Sequence, residues 1–127
     1  MGYTGGMTDR TQIENWIDRY RVAWESNDPD DIRALFTPDA EYRTGPSDAP
    51  WAGHEAIVAG WLEAADEPGT SSYESRVIAV DGDLGIAQLR VDYTEGRRYD
   101  NLWLIELDDD ARARRFTEWY MTRPEGD

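Results

Sequence analysis

The sequence predicts an α+β domain in which three helices come first and a curved antiparallel sheet follows, and three observations carry that prediction. Apolar residues recur at the helical period in three segments ahead of Gly69. After Gly69 the period falls to two, in stretches separated by turn sequences. The chain has 127 residues, the length of one domain with one core. Helices followed by consecutive hairpins, rather than alternating with strands, indicate a meander bent over a helical layer.

Each element has its own signature. Ile13, Trp16, Ile17, Tyr20 and Trp24 form one stripe of a helix. Asp9 with Gln12 makes a capping box at its start, and it ends near Ser26-Asn27. A second helix opens at Asp28-Pro29, with Asp28 as N-cap and Asp30 and Asp31 at the positive end of the dipole. Ile32, Leu35 and Phe36 supply its buried side, and Pro38 closes it. Ala40 to Arg43 reads as a short strand, and Thr44 to Gly53 as an irregular loop. A third helix is expected from about His54 to Ala65 on Ile57, Val58, Trp61 and Leu62, stopped by Glu67-Pro68-Gly69. Strands are expected over Ser72 to Val80, Leu84 to Thr94, Tyr99 to Leu107 and Arg112 to Met121. Asp81-Gly82, Glu95-Gly96 and Asp108-Asp109-Asp110 mark the turns between them. Met7-Thr8-Asp9-Arg10 resembles an ordinary protein start, so a single domain is expected over 8–123, with 1–7 and 124–127 as flexible ends.

Composition excludes several classes of function. With 13 basic and 27 acidic residues the formal charge is −14, which opposes binding to nucleic acid or to an anionic membrane. All the basic residues are Arg, which suits either a high-GC genome or a salt-adapted surface. The chain contains no Cys, so disulfides, thiolate metal sites and Cys nucleophiles are excluded. No apolar run approaches the length of a spanning helix, and no basic-then-apolar leader is present, so a cytoplasmic location is expected. His54 is the sole His and lies at a helix start, where a surface role is expected. A transition-metal site would need carboxylates alone, and the acidic turns lack the pattern of a calcium loop. Neither a metal nor a cofactor is expected.

Five features occur in a characteristic order: Asn27-Asp28 with Ile32 to Phe36, then Pro38-Asp39-Ala40, Trp51-Ala52-Gly53 before Glu55-Ala56-Ile57, Tyr99 to Trp103, and Phe116 to Tyr120. Together they resemble the nuclear transport factor 2-like superfamily, also called cystatin-like, and particularly its SnoaL-like members, over about Thr8 to Arg123. The resemblance implies a cone-shaped curved sheet closed by three helices around a pocket for an apolar small molecule. The fold hosts hydrolases, isomerases, cyclases and proteins without activity.

Arg90 and Asp92 lie two apart on one strand, with Glu118 on the last strand. An Arg between two carboxylates can push their proton affinities apart, so that one activates water while the other donates a proton. This arrangement resembles the limonene-epoxide hydrolases. The resemblance assigns Asp92 as base, Arg90 as bridge, Glu118 as proton donor and Tyr42 as water-orienting group. Thr44 stands where that family has Asn, and Glu118 where it has Asp. The alternative for Arg90 and Asp92 is an ion pair that shapes the sheet.

Tyr20 and Asp100 resemble the oxyanion-holding pair of ketosteroid isomerases, whose base would fall near Thr44, a residue unable to take a proton from carbon. Tyr20 can equally pack in the core with its hydroxyl satisfied. Trp24 and Trp61 are candidates for a pocket mouth that takes a flat apolar ligand, or for plain packing. Tyr120 shares a face with Glu118. If that face points inward, Trp119 and Met121 project from the outer sheet face, and a homodimer through that face is expected. A non-catalytic binding or dimerisation module on the same fold is the competing reading.

Overall fold

The apolar stripe forms helix α1, Arg10–Ser26, which buries Ile13, Trp16, Ile17, Tyr20 and Ala23. The computed structural model describes residues 8–65, 67 and 69–123, so the expected flexible ends lie outside the described residues. The capping box is present at Asp9: Gln12 N donates to Asp9 Oδ1 at 2.8 Å, and Asp9 N donates to Gln12 Oε1 at 3.0 Å. Asn27, left-handed at φ 52°, ends the helix, a conformation that Asn tolerates better than most residues.

The second helix is shorter than expected. Helix α2 spans Pro29–Arg33 with Asp28 as its N-cap, and Phe36 already begins strand β1, Phe36–Arg43. Pro38 therefore lies within a strand rather than closing a helix. The reason is a register slip in the pairing of β1 with the last strand, between Phe36↔Ala113 and Glu41↔Arg115. Proline has no N–H for a ladder, and a bulge is where a sheet accommodates it. Strand β2, Trp51–Ala52, interrupts the expected loop and pairs antiparallel with β1 through Tyr42↔Trp51. Helix α3 spans His54–Ala64, and His54 Nε2 donates to Phe36 O at 2.8 Å, so the lone His ties the helix start to β1. The ring is thus partly buried and tethered rather than simply on the surface.

The remaining strands match their alternation: β3 Ser71–Asp81, β4 Leu84–Tyr93, β5 Arg98–Leu107 and β6 Ala113–Thr122. The sheet order is β2-β1-β6-β5-β4-β3. Its ladders are antiparallel except between β1 and β6, which run parallel. The sheet curls around the helices without closing, with β2 and β3 as its edges. The β3 edge is blunted where its register slips between Val77 and Ala79, and there Arg10 Nη1 donates to Val77 O at 2.7 Å.

Side-chain phase on the sheet follows the core. Ala87, Leu89 and Val91 of β4, and Trp103, Ile105 and Leu107 of β5, are buried inward with the helical stripe. Residues between them must therefore face outward. Trp16 anchors the packing: its Nε1 donates to Leu35 O at 2.9 Å, and its ring lies 5.5 Å from Phe116 and 6.3 Å from Trp103. None of the described helices is long and apolar enough to cross a membrane.

Candidate functional site

The inner face of the curled sheet does not pack fully against the helices at one end, and a cavity of about 320 Å³ remains there. Helix α1 contributes Tyr20 and Trp24, α3 contributes Trp61, and β1 and the residues after it contribute Tyr42, Thr44 and Trp51. The opposite wall comes from alternate residues of three adjacent strands: Val91 and Tyr93 of β4, Tyr99, Asn101 and Trp103 of β5, and Glu118 and Tyr120 of β6. Ladder pairing sets Glu118 level with Trp103, and Tyr120 level with Asn101.

Aromatic rings form most of the wall. Tyr20 lies 4.5 Å from Trp103 and 4.8 Å from Trp61, and Tyr42 stacks on Trp51 at 4.7 Å. Gly60 makes that stack possible, because a Cβ there would fall within the Trp51 indole. Trp61 Nε1 donates to Asn27 Oδ1 at 3.2 Å, which joins α3 to the end of α1.

The polar groups converge among these rings. The hydroxyls of Tyr20 and Tyr42 are 2.9 Å apart. One of their two hydrogens fills the space between the oxygens, leaving the other for a further acceptor. Burial first, and then neighbouring negative charge including that of Glu118, holds both phenols well above their ordinary value, although the hydrogen bond with Tyr20 acts to lower Tyr42, so they remain neutral donors. Burial pushes the Glu118 carboxyl up to about 7, because a charge there is poorly solvated. Two buried polar atoms of cavity residues, Asn101 Oδ1 and Trp103 Nε1, have no hydrogen-bond partner. Such groups carry a desolvation cost that a polar ligand or a water can remove.

The expected catalytic set is not brought together. Glu118, Tyr42, Tyr20, Trp24, Trp61, Thr44 and Tyr120 line the cavity, but Arg90, Asp92 and Asp100 do not. Arg90 and Asp92 alternate with Leu89 and Val91, whose burial fixes the phase of β4 and turns the charged pair to the outer face. Asp100 is likewise turned outward by Asn101 and Trp103, and it pairs with Arg90 at 3.6 Å and with Arg123 at 3.5 Å. Arg123 and Arg98 also bind Asp92. Although desolvation acts to raise it, hydrogen bonds and charge from these two arginines hold the Asp92 carboxyl below its ordinary value. The outer-face charges form an ion-pair network, and Tyr20 finds its partner in Tyr42 rather than in Asp100. The sequence reading missed Asn101, Trp103, Trp51 and Tyr99 as site residues. For β5 the signal was present, since the inward phase of Trp103 and Ile105 includes Asn101 and excludes Asp100. Among the described residues no group of three His, Cys, Asp or Glu side chains is placed to hold a metal ion.

The same curled sheet and helices occur in solved structures. An NTF-2 like protein of unknown function from Burkholderia xenovorans matches with a TM-score of 0.71 at 19% identity, covering 92% of this chain and 88% of that one. A protein with a cystatin-like fold from Silicibacter pomeroyi matches with a TM-score of 0.61 at 20% identity, over 87% and 74% of the two chains. A steroid delta-isomerase from Pseudomonas aeruginosa matches with a TM-score of 0.61 at 21% identity, over 94% and 85%. At these identities the likeness is one of fold. No curated protein matches the chain. The family model of the SnoaL-like domain matches residues 17–123, which takes in every cavity-lining residue. By that match, and by a fold it shares with NTF-2 like proteins, the chain belongs to the SnoaL-like family.

Proposed function

We propose that the protein is a cofactor-free acid–base enzyme that moves a proton on a flat, largely apolar molecule bearing a carbonyl group. The observation that carries this reading is a lone carboxyl, Glu118, raised to about 7 by burial in the same cavity as a neutral tyrosine pair. A group that titrates near neutrality serves well as a proton carrier. Ionised Glu118 takes a proton from the carbon next to the carbonyl. The carbonyl oxygen becomes an enolate oxygen that accepts the spare tyrosine hydrogen. Return of the proton from Glu118 to a different carbon completes an isomerisation with no net change in oxidation state. Thr44 cannot act as the base, and Glu118 supplies one from the opposite wall. The structural likeness to a steroid delta-isomerase is consistent with this class of reaction. Epoxide opening by Asp92, Arg90 and Glu118 lacks support, because Asp92 and Arg90 lie on the other face of the sheet.

The test is deuterium exchange next to the carbonyl of a panel of cyclic and aryl ketones in D₂O, with wild type beside Glu118→Gln. Exchange by wild type, at a rate that rises as pH passes about 7, and none by the variant is the expected result. Binding without exchange in any member of the panel would favour the non-catalytic module instead. Labelled diol from epoxides in oxygen-18 water would restore the hydrolase.

We also propose that two copies pair through the outer sheet face. Trp119 and Met121 are 44% and 64% exposed there. The ladder sets Leu102 beside Trp119 and Ile86 beside Leu104, which extends the apolar patch across three strands. Light scattering at micromolar concentration should give the mass of a dimer, and a monomer's mass would remove the proposal.

A further inference from the structure

We propose that the cavity selects an elongated aromatic or polycyclic ligand carrying a carboxylate, held at the mouth by Arg97. This rests on the reading of the cavity as a small-molecule site and names the class of molecule it takes. Only two of the lining residues are ionisable acids or bases of ordinary strength, Glu118 and Arg97, and they stand at opposite ends. Along β5 the wall passes from Trp103, which is buried and level with Glu118, through Asn101 and Tyr99 to exposed Arg97 at the hairpin. Six residues of strand span about 20 Å between Cα positions at roughly 3.3 Å each, and the reach of the guanidinium shortens the gap. Both side chains line the cavity and take up part of that distance, and an elongated ring system with its carboxylate spans the remainder.

Arg97 is held in place by several contacts. Its guanidinium lies 4.2 Å from the centre of the Tyr93 ring, and its Nη2 donates to Glu95 at 2.6 Å. Glu95, and then Tyr99, support its charge. A guanidinium has five N–H groups, and these contacts do not use them all. Both members of the Glu95 pair are about half exposed, with side chains 58% and 48% accessible. An exposed pair of this kind is weak, so a ligand carboxylate can share the arginine or displace the glutamate. Stacking on Tyr93 keeps the guanidinium oriented in either case. Across the cavity Glu118 is neutral below about pH 7 and does not repel the anion.

Titration calorimetry at pH 6 in 0.15 M NaCl, with anthracene-2-carboxylate and its neutral carboxamide as probes, tests the assignment. Wild type should bind the carboxylate about tenfold more tightly than the amide, the difference expected for one charge-assisted contact. Arg97→Gln should abolish that preference, and Glu95→Gln should strengthen carboxylate binding. Equal affinity of wild type for the two probes, or a preference that survives Arg97→Gln, overturns the role of Arg97 but leaves the small-molecule site standing. Binding of neither probe overturns both.

Discussion

At the scale of single residues, Glu118 concentrates the account. Its carboxyl is raised from 4.5 to about 7 by burial, so the folded chain holds the proton more tightly than the unfolded chain does. Below about pH 4.5 the group is neutral in both states and costs nothing. Between there and about pH 7 the unfolded chain gives up its proton first, so stability falls as pH rises, and above about pH 7 the full cost is reached. A shift of that size corresponds to about 3 kcal/mol. Glu118→Gln, which cannot ionise, should therefore melt several degrees above wild type at pH 8, with the difference vanishing towards pH 4. Thermal unfolding of the two proteins across pH checks this, and a constant difference would show that burial does not set the charge of Glu118. A site role for Glu118 was implied by the family resemblance, but its partners were not legible from the sequence. Arg90 and Asp92 share a strand face, as their spacing required. What the spacing left open was which face, and the apolar neighbours Leu89 and Val91 decide it.

At the scale of elements, local rules explain most of what forms and packing explains the exceptions. The capping box at Asp9 and the alternation of β3 to β6 appear as their residues dictate. Pro38 does not stop a helix, because a register slip between β1 and β6 gives it a place in a strand. Trp51 joins the site because two residues of an otherwise irregular loop pair with β1, a tertiary contact that no local pattern encodes. Gly60 in α3 shows the same competition. Helix propensity alone would make Gly60→Ala stabilising by about 1 kcal/mol. The added methyl meets the Trp51 ring, which is itself pinned on Tyr42. We expect the clash to win, lowering stability by about 1–3 kcal/mol and shifting the Trp51 ring against Tyr42. Chemical denaturation followed by tryptophan fluorescence measures it, and a more stable variant would show that Trp51 has room to move.

At the scale of the whole molecule, charge opposes association. Each chain carries −14, so pairing two copies brings like charge together while burying the Trp119 and Met121 patch. Salt screens the repulsion over about 8–10 Å and leaves the apolar gain intact. The proposed dimer should accordingly tighten when KCl is raised from low to molar concentration, and Trp119→Arg should leave a folded monomer. Sedimentation across a salt series checks both, and a dimer that weakens with salt would mean that ion pairs rather than apolar surface hold it. The fold class and the order of elements were legible in the sequence, because periodicity records which face is buried, whereas the inward face of the last strand stayed open because Trp119 and Met121 are as apolar as Phe116 and Tyr120. The cavity's polar wall was less legible, since it depends on where three strands leave the helices uncovered.

A carbon-13 NMR titration of the side-chain carboxyl of Glu118, assigned by its loss in Glu118→Gln, decides whether the cavity holds a proton carrier. A midpoint near 7 is predicted, in keeping with a buried carboxyl that exchanges a proton at neutral pH. A midpoint near the ordinary 4.5 would mean that Glu118 is solvated and ionised, and the proposed proton-transfer site would be lost.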